Sequence, residues 1–81
     1  MTTRKVQAYV FVDTENPGPK RVVREIRKLA GVVRADALLG VPDVVAVVEG
    51  NDLATMDAVI DRIAELDGVV DTESKVVRWI D

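Results

Sequence analysis

The sequence predicts an α+β domain built in the order βαββαβ, with a four-stranded antiparallel sheet and both helices on one of its faces. Three observations predict it. Segments rich in valine and other β-branched or aromatic residues alternate with two segments whose apolar positions recur at helical spacing. Displacing the 81-residue sequence by 37 positions lays Ile26, Leu29, Gly31, Val32 and Val33 on Ile63, Leu66, Gly68, Val69 and Val70, and Val10 on Val47. The strand segment that opens each copy is apolar on both sides. A single domain over 1–81 thus consists of two repeats, about 5–39 and 42–80. Two strand-helix-strand units joined by a turn form the split, ferredoxin-like arrangement, and right-handed crossovers place both helices on the same face.

Each element has a local reason. Residues 5–13 (KVQAYVFVD) form a first strand that stops at Thr14, Glu15, Asn16, Pro17, Gly18 and Pro19, a cluster that breaks regular structure. From Lys20 the apolar positions are Val22, Val23, Ile26, Leu29 and Ala30, so a first helix runs to about Ala30, with Gly31 as a left-handed cap. Residues 32–39 form a short strand carrying Arg34 and Asp36, closed by Gly40, Val41, Pro42 and Asp43. Residues 44–48 form the third strand. Asn51 or Asp52 caps a second helix with an apolar stripe of Leu53, Met56, Val59, Ile60, Ile63 and Leu66, ended by Gly68. The last strand runs from about Val69 to Ile80.

An antiparallel sheet with one wet face should alternate apolar and polar residues. Here Val44, Ala46 and Val48 oppose Val45 and Val47, and Ala8, Val10 and Val12 oppose Tyr9 and Phe11. Both faces call for burial, but the helices cover only one. Of the 81 residues 39 are apolar, 17 of them valine, and none is cysteine or histidine. A chain of this size buries only about 60% of its unfolded surface, and it has no disulfide or zinc with which to compensate. A second copy packed on the open sheet face is the expected remedy, giving a homodimer.

The longest apolar runs are five residues, 8–12 and 44–48, far short of the roughly 18 needed to cross a bilayer. The N-terminus leads into strand-like sequence rather than a signal peptide, so the expectation is a soluble cytoplasmic protein. Net charge is −3, yet residues 1–40 carry +4 and residues 41–81 carry −7. Lys20, Arg21, Arg24, Arg27 and Lys28 gather on the first helix. With an acidic chain and no aromatic residues interleaved, that stretch reads as a solvated face complementing an acidic neighbour, not as a nucleic-acid site.

Chemistry is restricted. Without histidine or cysteine, the usual neutral-pH base, thiol nucleophiles and most transition-metal sites are missing. Ser74 is the only serine and no nucleophile elbow surrounds it. The five glycines are isolated, which excludes a phosphate-binding loop. Asp57 and Asp61, four apart on a helix, are too few for a metal site and read as a solvated acidic face. No catalytic constellation, metal or cofactor is expected. Two segments remain as binding elements. Gly40, Val41, Pro42 and Asp43 set a carboxylate at the mouth of a strand, although the same residues serve an ordinary hairpin connection. Thr72 and Ser74, two apart on the last strand, share one face.

Together these features resemble the effector-binding (RAM) domain of the Lrp/AsnC, or feast/famine, transcription regulators. The resemblance lies in the strand Ala8 to Val12, the helix closing on Gly31, Val32 and Val33, the Gly40-x-x-Asp43 turn, the helix from Leu53 to Leu66, and Gly68-Val69-Val70-Asp71-Thr72-Glu73-Ser74. It covers residues 6–80. It implies face-to-face sheet packing in a dimer, higher assembly such as an octamer, and an amino-acid effector held between dimers. By position it implies ligand contacts from Gly40, Val41, Pro42, Asp43, Thr72 and Ser74, with Asp43 meeting an effector amino group and the hydroxyls completing the site. The family often carries an aromatic residue before the Asp, where this chain has Pro42. The first strand begins within a few residues of Met1, so the expectation is a stand-alone sensing module lacking the family's helix-turn-helix domain. It would bind no DNA or membrane itself and would be free to join a full-length relative.

Two other readings carry different expectations. A small dimeric α+β-barrel enzyme, monooxygenase- or isomerase-like, needs a polar pocket between the sheets, where the sequence reads as valine and alanine. An ACT-like regulatory domain shares the topology but pairs sheets side by side.

Overall fold

The computed structural model describes residues 4–16 and 18–80; Met1 to Thr3, Pro17 of the predicted loop and Asp81 lie outside them. The elements follow in the predicted order: β1 (Val6–Thr14), α1 (Pro19–Arg27), β2 (Val32–Ala37), β3 (Val44–Gly50), α2 (Leu53–Ala64) and β4 (Val69–Val76). The sheet order is β2-β3-β1-β4, and every neighbouring pair is antiparallel. This is the ferredoxin-like arrangement, with the two repeats interleaved so that β1 and β3, one from each, sit at the centre.

Strand parity sorts the side chains as the alternation requires. Ala8, Val10 and Val12 of β1 and Val44, Ala46 and Val48 of β3 are buried. They meet Val22, Val23 and Ile26 of α1 and Met56, Val59 and Ile63 of α2 in one core. Burying each of the larger side chains contributes about 1.5–3 kcal/mol. α1 lies over β2 and β3, and α2 lies over β3, β1 and β4. Tyr9, Phe11, Val45 and Val47 have the opposite parity and form the centre of the helix-free face, where Tyr9 is 47% exposed.

The helix ends repeat with the 37-residue period. Leu29 N–H donates to Ile26 O at 3.0 Å and Val32 N–H to Leu29 O at 3.3 Å; at the equivalent positions Leu66 N–H donates to Ile63 O at 3.1 Å and Val69 N–H to Leu66 O at 3.2 Å. Gly31 (φ +93°) and Gly68 (φ +90°) then turn the chain into the next strand. This tightening ends α1 at Arg27, three residues before the predicted limit at Ala30. At Gly31 a side chain is also excluded sterically, since a Cβ would stand 2.5 Å from Val59 Cγ2.

Three further boundaries differ from expectation. β2 stops at Ala37 rather than Leu39, because Leu38 N–H turns to Asp43 O at 2.8 Å and closes the connection to β3. β4 stops at Val76 rather than Ile80: Val77 N–H makes a last bond to Gln7 O at 2.8 Å. Beyond it, Trp79 lies 5.1 Å below the Arg4 guanidinium, a cation–π contact. Leu53, placed on the apolar stripe of α2, is 60% exposed at the first helical position. Asp52 is the cap of α2, accepting from Thr55 N–H at 2.8 Å. That bond holds its carboxyl below the usual range.

Candidate functional site

The β2–β3 connection, residues 38–43, is the most exposed apolar segment of the fold. Leu39 and Val41 are 107% and 91% exposed. The connection is fastened at its base. Asp43 Oδ1 accepts the Thr14 backbone N–H at 3.0 Å, and its Oδ2 accepts the Thr14 hydroxyl at 2.6 Å. Both carboxylate oxygens therefore tie the turn to the end of β1. Gly40 adopts φ +118°, with nothing within 4 Å of a hypothetical Cβ, so its requirement is conformational and not steric. The Val41–Pro42 peptide is cis.

So held, Val41 and Pro42 overhang one margin of the helix-free face. With Phe11, Asp13, Asp71, Glu73 and Lys75 they enclose an open cavity of about 290 Å³. Its floor is ordered by strand register: Phe11 stands opposite Glu73, and Asp13 opposite Asp71. Lys75 pairs with Glu73 at 3.1 Å, and among the described residues Asp13 and Asp71 have no ion-pair partner and stand opposite each other, a like-charge arrangement that cross-strand geometry disfavours. The cavity thus combines an apolar wall with an acidic floor and one ammonium.

Thr72 and Ser74 lie elsewhere. They stand opposite Val12 and Val10, and side chains opposite each other on paired strands share a face, here the one covered by helices. Ser74 lines a groove between α2 and β4, also of about 290 Å³, with Leu53, Ala54, Met56, Asp57, Ile60 and Val76. Of the six sequence-derived site residues, the fold therefore brings Val41 and Pro42 into one cavity. Asp43 supports them from Thr14, Gly40 shapes the turn, and the two hydroxyls lie on the opposite side of the sheet. One chain does not assemble all six.

The reading of the open face as valine and alanine is corrected by the register. Ala8 and Ala46 face the helices, and the open face carries Tyr9, Phe11, Val45 and Val47 flanked by charged residues of β2 and β4. Asp13, Asp71, Glu73 and Lys75 were not distinguished in the sequence. The period-2 pattern contained them, but choosing 71, 73 and 75 over 72 and 74 as open-face residues requires knowing how β4 pairs with β1. Thr14 as the partner of Asp43 leaves no signal in the sequence at all.

At the far end of the same face, Glu49 accepts from Gln7 Nε2 at 3.3 Å and Lys5 Nζ at 3.2 Å. The Gln7 bond, followed by that of Lys5, holds the Glu49 carboxyl below its ordinary value. Among the described residues, no group of three or more acidic side chains is arranged to hold a metal ion. No helix among them is long and apolar enough to cross a membrane.

Residues 7–78 match the family model of the Lrp/AsnC ligand binding domain. No curated protein matches the sequence at a significant level. Among solved structures, TTHA0845 from Thermus thermophilus is 25% identical with a TM-score of 0.84, over 94% of this chain and 96% of its own. The transcriptional regulator NMB0573 from Neisseria meningitidis, solved as a complex with L-Met, is 25% identical with a TM-score of 0.74, over 91% of this chain and 50% of its own. AsnC of E. coli shares the fold at 17% identity and a TM-score of 0.80, over 93% of this chain and 52% of its own.

Proposed function

The chain belongs to the Lrp/AsnC ligand-binding domain family, and on that premise we propose that it is a non-catalytic amino-acid-sensing and oligomerisation module whose effector site is completed between copies. The observation that carries the reading is the separation of the candidate residues. The Gly40 to Asp43 turn overhangs one side of the sheet and the Thr72 and Ser74 hydroxyls lie on the other, so a ligand that uses both must draw them from different chains. Assembly and effector binding are then linked, because a ligand that binds only the assembled form favours it by mass action.

The residues suit an α-amino acid. Asp43 retains free lone pairs beyond the two bonds from Thr14 and offers a negative pole for an ammonium group. The Thr72 and Ser74 hydroxyls of a neighbouring copy supply donors for a carboxylate, and Val41 and Pro42 supply apolar contact. The complex of the related Neisseria regulator with L-Met supports this ligand class. TTHA0845 is matched over 96% of its own chain, so the likeness there is to the ligand-binding domain by itself. The dimer forms through Tyr9, Phe11, Val45 and Val47, whose apolar surface no helix of the same chain reaches. Dimers assemble further, as in an octamer, and a full-length Lrp/AsnC relative is a candidate partner in mixed assemblies. The protein resides in the cytoplasm.

A thermal-shift screen against the twenty amino acids, with mass measured by light scattering on the same samples, tests this. An effector at about a hundredfold its Kd stabilises by about 2.7 kcal/mol, a rise in Tm of roughly 10–20 °C for a domain of this size. A monomeric mass together with no Tm response to any amino acid overturns the proposal.

A further inference from the structure

The basic residues of α1 gather on one flank. Val22, Val23 and Ile26 are buried against the sheet, and Lys20, Arg24 and Arg27, spaced i, i+4 and i+7, run along one side of that buried stripe. It is the side over β2, the outer strand of the sheet. There the three side chains form a groove of about 440 Å³ with Val23 and with Ala37 at the end of β2. Small molecules bind in cavities of about 300–1,000 Å³. Among the described residues, the groove is lined by three cations and no carboxylate.

The free cations of this groove differ from others of the chain. Lys5, Lys28, Arg34 and Lys75 are each matched to a carboxylate, of Glu49, Glu25, Asp36 and Glu73 respectively. Among the described residues Lys20 and Arg24 have no ion-pair partner. The acidic neighbour expected for them is α2, but α2 lies over β3, β1 and β4 whereas α1 lies over β2 and β3. The acidic helix therefore stands beyond the opposite flank of α1. Lys20 also sits in the first turn of α1, where a cation adds to the helix macrodipole, and no acidic residue offsets it there.

Arg27 closes the groove. Its Nε donates to Ala35 O at 2.9 Å and its Nη2 to Asp36 Oδ1 at 3.5 Å, which holds the guanidinium at the outer edge of β2. The other N–H donors of that group are left for a ligand. From Lys20 to Arg27 the helix rises by about 10 Å, so engaging all three cations takes a ligand with two or more anionic groups. A guanidinium meets phosphate bidentately and an ammonium meets it as a point charge. Val23 and Ala37 between them accept an uncharged portion.

We propose that the groove between α1 and the outer edge of β2 binds a small polyphosphate anion, the diphosphate or triphosphate group of a nucleotide or of a free inorganic chain. The groove shares no residue with the cavity at Val41 and Pro42 or with the groove at Ser74. It is a site additional to the amino-acid site and stands or falls without it.

Isothermal titration calorimetry of the intact protein with triphosphate, pyrophosphate and orthophosphate tests this, at about 0.05 M NaCl, where the screening length exceeds about 10 Å. Triphosphate is expected to bind once per chain with a Kd below about 1 mM, and orthophosphate at least about tenfold more weakly. Lys20→Gln and Arg24→Gln keep a good helix former at an exposed position. Each should weaken triphosphate about tenfold, with circular dichroism confirming the fold. Arg62→Gln removes the same charge from α2 and should change the Kd by less than about twofold. ATP separates the two sources of the anion: tighter binding than triphosphate identifies a nucleotide, and equal or weaker binding identifies the free chain. Absence of saturable triphosphate binding overturns the proposal, as does orthophosphate binding equally well. Equal losses in Arg62→Gln and Arg24→Gln overturn it too, because they assign the effect to net charge. So does duplex DNA that binds in proportion to its length and is not displaced by triphosphate, which makes the flank a general polyanion contact.

Discussion

Val47→Lys tests the open sheet face directly. Val47 lies on the central strand β3 with Tyr9 directly across on β1 and Arg34 across on β2. Its side chain points away from the helices, so the folded monomer has little reason to resist the change. A like-charge neighbour opposite Arg34 costs at most about 1 kcal/mol, and water screens it. In a face-to-face dimer the same residue lies near the middle of the contact. Enclosing an ammonium there without a partner costs about 2 kcal/mol or more. A two-fold interface presents the substitution twice, so association weakens by about 4 kcal/mol, roughly a thousandfold in Kd. Sedimentation equilibrium over a range of concentrations, with far-ultraviolet circular dichroism to confirm folding, reads both quantities. A folded variant whose dimer Kd stays within about tenfold of wild type refutes the argument that this face is the dimer contact.

Five other outcomes follow from the geometry. Gly31→Ala combines a left-handed φ with a Cβ 2.5 Å from Val59 and should cost about 2–5 kcal/mol in urea unfolding. Gly40→Ala, strained but unobstructed, should cost only about 1–2 kcal/mol. Ile63→Ala opens a fully buried site and should destabilise by about 2–5 kcal/mol; a smaller loss would mean that α2 collapses onto the vacancy. Glu49 and Asp52 both have folded pKa values below their unfolded ones. Their contribution is therefore complete above the ordinary carboxylate range and is lost as pH falls through it. Urea midpoints should decline on acidification, and less so in Asp52→Asn. Thr14→Val removes the 2.6 Å hydroxyl bond to Asp43. It should cost about 1 kcal/mol and diminish the Tm response to an amino acid by more than its effect on the unliganded Tm.

The fold was legible because its signals are redundant. The repeat, the helical spacing and the two-sided apolar strands all point to one topology, and Gly31 and Gly68 mark equivalent turns. What escaped the sequence depends on pairing. The parity of Thr72 and Ser74 is decided by their register with Val12 and Val10, a contact about sixty residues distant. The end of α1 at Arg27 is set by carbonyls of the last turn accepting from the residues that lead into Gly31, which spacing alone does not register. β4 ends early because, among the described residues beyond Val76, only Val77 still finds a carbonyl on β1.

An association through the open sheet face has a definite physical signature. Its centre is apolar, Tyr9, Phe11, Val45 and Val47, so it should be nearly independent of salt and strengthen with the area buried. The candidate effector residues are divided by the sheet, Val41 and Pro42 beside that face and Ser74 beside α2 on the other. A two-fold contact through the open face covers the first pair and leaves Ser74 outward, so a site that uses both sets needs a contact beyond that dimer. Since a shift of about 1.4 kcal/mol changes an association constant tenfold, a ligand of modest affinity at such a contact would be enough to move a larger assembly while leaving the dimer in place.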